Sequence, residues 1–98
     1  MEQEELMSVD EFCLYYNTEF SFINSLHEHG LIEITIIENA TFINKTQLHD
    51  LEKFVRLHYE MDINLEGIEA INHLLQRINS MQLEITKLKN KLLKEIDE

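Results

Sequence analysis

The sequence predicts a mainly α fold, a winged helix-turn-helix with a small β-hairpin wing and a long C-terminal coiled-coil helix. Three observations lead there. Two short, capped helices meet at a tight turn near Asn17; β-branched residues alternate over LIEITIIENATFI; and apolar residues keep a seven-residue repeat from Ile71 to Leu92. At 98 residues the chain has room for one modest core.

The elements follow in order. Ser8 with Glu11 three residues on forms a capping box, which predicts a first helix from about Val9 to Tyr16. Asn17 and Thr18 make the turn, and Thr18 is expected to cap a second helix whose Phe22, Ile23 and Leu26 share one face. Gly30 supplies the positive φ that stops it. Two such helices joined by a tight turn form the helix-turn-helix unit. Ile32, Ile34 and Ile36 then alternate, Glu38, Asn39 and Ala40 interrupt, and Thr41, Phe42 and Ile43 resume, which reads as a hairpin. Asn44 with Gln47 reads as a second capping box, opening a third helix with Leu48, Leu51, Phe54 or Val55, Leu57 or His58, and Met61 at helical spacing. MDIN breaks that helix, Asn64 caps again, and nothing interrupts a last helix from Leu65 to about Ile96.

In this last helix Ile71, Leu74, Ile78, Met81, Ile85, Leu88 and Leu92 are spaced alternately by three and four residues, a coiled-coil seam. Burying it is worth about 10–20 kcal/mol per chain in gross transfer energy. Association costs about 4–15 kcal/mol, so a homodimer through this helix is expected. Glu66 and Glu69 at its start and Lys87, Lys89, Lys91 and Lys94 near its end favour an antiparallel pair, although lysines there also suit the helix dipole. The expected organisation is a winged unit over residues 1–63 and a dimerisation helix over 64–98, within a single structural domain.

Charge narrows the function. Residues 1–44 carry nine acids and no lysine or arginine, whereas the remaining residues hold ten acids and all eight bases, for a net −11. No apolar run suggests a membrane span. The acidic start MEQEELMSVD lacks a secretory pattern and the lone Cys13 cannot support a disulfide framework. A cytoplasmic protein is expected.

Catalytic, metal and cofactor chemistry is not indicated. His27 and His29 flank Glu28, but H-x-H on a helix turns the two rings apart, whereas metal-binding pairs need a full turn between them. Cys13 has no basic neighbour to activate it and is expected to pack as a small hydrophobe. Phe12, Phe22, Ile23, Leu26 and Phe42 are expected to bury against Leu51, Phe54 and Leu57. That leaves Tyr15, Tyr16 and Phe20 as aromatic surface candidates.

A helix-turn-helix, a hairpin wing, a third helix, the INLEGI turn (63–68) and an antiparallel coiled coil together resemble the MerR family of bacterial regulators. More narrowly, the segments EFCLYY (11–16), HGLIE (29–33), VRLHYEMDINLEGI (55–68) and the final helix are similar to CbpM-type chaperone modulators, over about Asp10 to Leu93. That resemblance implies an adaptor that binds the J-domain of a CbpA/DnaJ-type co-chaperone, whose second helix is basic, and restrains delivery of clients to a DnaK-type chaperone. It meets the charge reading, because unlike charges steer encounter and fix partner choice. Asp10, Glu11, Glu19 and Glu28 are then expected to face the partner, with Tyr15, Tyr16 or Phe20 as apolar anchors.

The rival expectation is a MerR-like DNA-binding transcriptional regulator. DNA binding is driven by basic groups that neutralise phosphates. The second helix offers Glu19, Asn24, Ser25, His27, Glu28 and His29, and the wing Glu33, Glu38 and Asn39. Charge therefore argues against DNA.

Overall fold

The computed structural model describes residues 5–97. In order, β1 (Leu6–Ser8), α1 (Val9–Tyr16), α2 (Phe20–Glu28), β2 (Thr35–Ile37), β3 (Ala40–Asn44), a 3-10 turn (Lys45–Gln47), α3 (Leu48–Tyr59) and α4 (Leu65–Asp97) make an elongated molecule of 60 × 37 × 21 Å. Three short helices and a three-stranded sheet surround one core, and α4 leads away from it.

The cap at α1 is as expected: the Ser8 hydroxyl accepts from the Glu11 N–H at 3.4 Å, and Asn17 ends the helix in the left-handed region at φ 54°. Thr18 departs from expectation. The cap position of α2 is Glu19, which makes no side-chain capping bond. Thr18 is instead buried and donates through Oγ1 to the Tyr59 hydroxyl at 3.2 Å. At the far end of α2, Gly30 at φ 74° donates to the His27 carbonyl at 2.9 Å while Leu31 donates to the Leu26 carbonyl at 2.9 Å. These two bonds make the Schellman closure.

The hairpin forms with Glu38 and Asn39 both at positive φ, 49° and 67°, as a two-residue type I′ turn requires. Ala40, expected in the break, starts β3. The sheet has a third strand: β1 pairs antiparallel with β3, Met7 opposite Ile43, giving the order β1-β3-β2. Ile43 is fully buried, whereas Phe42, expected in the core, is half-buried, because the pleat turns only one of two neighbours inward.

The second capping box is also modified. Asn44 Oδ1 accepts from the Thr46 N–H at 2.9 Å and opens the 3-10 turn. Gln47 does not reach back to Asn44: its amide brackets Glu33, accepting from the N–H at 2.8 Å and donating to the carbonyl at 2.9 Å. Along α3, Leu51, Phe54 and Val55 are buried and Leu57 is half-buried, while Met61 lies past the helix end and is 63% exposed. Asn64 Oδ1 accepts from the Gly67 N–H at 2.9 Å, capping α4, and Ile68 enters the core one residue later.

Gly67 sits where a Cβ would approach Ile63 Cγ2 to 2.6 Å. That methyl is on a stiff β-branched carbon close to the backbone. Gly67→Ala should therefore lower stability in urea unfolding by about 1–2 kcal/mol through overpacking, against the gain of about 1 kcal/mol that helix propensity alone would give.

Candidate partner-binding surface

The surface is built around the turn between α1 and α2. The helical period of α1 turns Val9 and Phe12 inward, with Cys13 and Tyr16 packed partly against the core. Leu14 and Tyr15 are left on the outside at 84% and 79% exposure. After the turn, Phe20 is 47% exposed beside Glu19. The turn itself is held from below by α3, because the Tyr59 hydroxyl accepts both from Thr18 and from the Glu19 N–H at 3.3 Å.

Of the residues expected to meet a partner, Tyr15, Tyr16, Glu19 and Phe20 gather around this turn. The rings of Tyr15 and Tyr16 pack edge-on at 4.9 Å, and Tyr16 in turn stacks on buried Phe12 at 4.4 Å. Asp10 and Glu11 are exposed in the first turn of α1, at its opposite end. Glu28 is exposed at the far end of α2, about 12 Å from Phe20 along the helix axis. Both ends of the set carry only acids. Leu14, exposed three residues before the turn, stands beside them and is not among the residues expected from the sequence. A leucine standing off the Val9–Phe12–Tyr16 stripe was the available signal.

Tyr16 is less free than Tyr15. The Glu52 carboxylate on α3, as an acceptor facing the hydroxyl, then partial burial and the charge of Glu52, with a smaller effect of Tyr15, push its phenol up to about 12. Cys13 also titrates above its ordinary value, through burial and then the neighbouring Asp10 charge. Its thiol stays protonated and packs as a hydrophobe.

Three of the five histidines, His27, His29 and His58, have structural partners. His27 Nδ1 lies 3.3 Å from the Ile32 carbonyl, and His58 Nδ1 lies 3.0 Å from the Ile63 carbonyl while its ring stacks on Phe22 at 4.4 Å. A carbonyl only accepts, so both rings carry the proton on Nδ1. His29 Nδ1 meets Glu69 Oε2 at 3.2 Å, tying the end of α2 to α4. Among the described residues no three His, Cys, Asp or Glu side chains come together as metal ligands. A groove of about 430 Å³ on the outer side of α3, lined by residues including Glu52, Lys53, Arg56, Leu57 and Met61, mixes charges of both signs.

Comparison with known families matches residues 7–90 to the MerR HTH family of regulatory proteins. The chain belongs to that family. No curated protein and no solved structure matches it. In a helix-turn-helix of the DNA-binding kind the second helix enters the major groove. In this MerR-family chain the exposed positions of that helix and its cap are Glu19, Phe20, Ser21 and Glu28, and the wing tip is Glu38–Asn39. None of these is a cation.

Spectrophotometric titration should resolve one tyrosine ionising near 12, and Glu52→Gln should move that step toward the ordinary value. Because the folded pKa is raised, the stabilisation from neutral Tyr16 is complete below the unfolded value of 10.0 and disappears as pH rises through about 12.

Proposed function

We propose that the chain is a non-enzymatic, cytoplasmic adaptor that binds the J-domain of a CbpA/DnaJ-type co-chaperone and lowers its activity. The observation that carries this reading is charge: residues 1–44 hold nine carboxylates and no lysine or arginine, and four of those carboxylates, Asp10, Glu11, Glu19 and Glu28, lie on the helix-turn-helix. A fold built to present a helix to a polyanion presents here an acidic face with exposed Leu14, Tyr15 and Phe20 near its middle. That combination suits a basic amphipathic helix. Apolar anchors at the centre supply residence time, and the surrounding acids supply steering. The CbpM-type motifs point to the basic second helix of a J-domain as that partner. Covering it would deny the chaperone its own contact, with no cofactor involved. No described helix is long and apolar enough to cross a membrane.

The family match favours a second reading, a MerR-like DNA-binding transcriptional regulator. The two readings differ in the sign of the surface they need. DNA binding draws on phosphate neutralisation, which gives even non-specific complexes a Kd of about 10⁻⁴–10⁻⁶ M. This chain should not retard random duplex at about 1 μM, and retardation there would support the regulator.

Calorimetry with the cognate J-domain should show a specific complex, and the complex should reduce J-domain stimulation of the chaperone's ATPase. Raising ionic strength from about 50 to about 500 mM shortens the Debye length from about 14 to about 4 Å and should slow association severalfold. Replacing Glu19 and Glu28 together by lysine should act mainly on the association rate, whereas Tyr15→Ala should speed dissociation. A folded sample showing no heat of binding at about 50 μM in low salt would exclude the adaptor reading.

A further inference from the structure

The outer edge of the wing is uncovered. In the sheet order β1-β3-β2 the strand β2 pairs with β3 on one side only, and its residues Thr35, Ile36 and Ile37 are all exposed. Ile36 stands at 67% exposure and Ile37 at 37%. β-Branched side chains suit a pleated surface with neighbours on both sides, and here one side faces solvent.

The hydrogen-bonding groups of that edge follow from the register. Ile37 lies opposite Ala40, Ile36 opposite Thr41 and Thr35 opposite Phe42. The type I′ turn at Glu38 and Asn39 makes Ile37 and Ala40 a hydrogen-bonded pair, and such pairs alternate along an antiparallel ladder. Thr35 therefore also bonds to β3, and the N–H and C=O of Ile36 point the other way. Glu33 continues the alternation through a side chain. Both of its main-chain groups are taken by the Gln47 amide, at 2.8 and 2.9 Å, and Gln47 lies three residues past the end of β3. Ile34, between Glu33 and Thr35, then turns its N–H and C=O outward beside those of Ile36, about 6.8 Å along the strand. Among the described residues these two N–H and two C=O groups have no main-chain partner. The turn at one end and Gln47 at the other hold the edge extended, which makes it a template for another strand.

Side chains select the occupant. Half-buried Ile34 and exposed Ile36 share one face of the strand, and Glu33, Thr35 and Ile37 share the other. Glu33 and Glu38 are exposed at the two ends, and residues 1–44 hold no lysine or arginine to pair with them. A second copy laid on this edge would bring up the same acids and no cation. A strand that sets apolar residues over Ile34 and Ile36 and basic residues on the other face covers the exposed isoleucine and meets both carboxylates.

We propose that the edge from Glu33 to Ile37 docks an extended, basic segment of another protein as an antiparallel fourth strand, with apolar residues over Ile34 and Ile36 and lysine or arginine beside Glu33 and Glu38. Main-chain bonds to Ile34 and Ile36 hold the segment whatever its sequence, and the alternation of apolar and basic residues selects it. This edge lies on the wing and uses neither the α1–α2 turn nor a J-domain, so either reading can fail alone.

The test uses the isotope-labelled full chain and a capped peptide, Gly-Lys-Val-Thr-Val-Lys-Gly. At about 1 mM peptide the amides of Ile34 and Ile36 should exchange with water about tenfold more slowly or better, while the resonances from Leu14 to Phe20 stay in place. The same peptide with glutamate for both lysines should bind at least about tenfold more weakly. Methylating the two valine nitrogens, which face the edge in this register, should abolish binding, whereas methylating the threonine nitrogen, which faces away, should not. Ile36→Pro removes the outward N–H without touching the β2–β3 ladder and should also lose the peptide. Where that variant opens the hairpin, the methylated peptides decide. No slowing of exchange at about 2 mM peptide, equal effects of the two methylations, or protection of Ile34 and Ile36 that grows with the concentration of the chain alone, as a second copy on the edge would give, would overturn the proposal.

Discussion

Every helix and the sheet contribute to one small core, and the need to fill it constrains the rest of the structure. Val9 and Phe12 from α1, Phe22, Ile23 and Leu26 from α2, Ile43 from β3, Leu51, Phe54 and Val55 from α3, and Ile68 from α4 are all buried. A domain of this size has little apolar surface to spare, so an apolar group that faces outward is not there to fill the interior. That makes the outward-facing apolar side chains informative. Leu14, Tyr15 and Phe20 near the α1–α2 turn and the seam of α4 are two groups that the core does not take. Burial of Ile68 fixes which side of α4 meets the body and therefore which side stays exposed.

Charge is laid over this frame unevenly. A helix-turn-helix projects its second helix whatever that helix reads, and the chemistry of reading resides in a few exposed side chains. Here those positions carry carboxylates, a serine and a phenylalanine. The bases are held back for the 3-10 turn, α3 and α4, and Lys53 and Arg56 already have acidic neighbours, Asp50 at 3.5 Å and Glu60 at 3.4 Å. The family scaffold therefore carries no cation at these exposed positions, and the proposed adaptor role rests on that acidity.

Local signals were legible in the sequence and long-range ones were not. Ser8–Glu11 placed α1 to the residue, Asn64 marked the start of α4, and the seven-residue repeat showed which face of α4 would lie bare. Thr18 looked like a cap because serine and threonine usually are. Its hydroxyl is taken by Tyr59, forty-one residues away, a contact that no local pattern encodes. Gln47 likewise left its capping box for the Glu33 backbone. The strand β1 was missed because three residues without a turn beside them carry no period, and their pairing with β3 is decided by the fold. At the candidate surface the acids could be read from composition. Leu14 could not, until the buried stripe of α1 was known.

The acidic turn between α1 and α2 is the surface proposed to meet a basic protein helix. The most direct measurement is amide chemical-shift mapping of isotope-labelled protein titrated with the cognate J-domain and, separately, with duplex DNA. The J-domain should shift resonances from Leu14 to Phe20 and along the exposed side of α2, with α4 beyond Ile78 unaffected and no response to DNA. Shifts confined to α4 on adding the J-domain, or shifts in α2 and the Glu38–Asn39 turn on adding DNA, would contradict it.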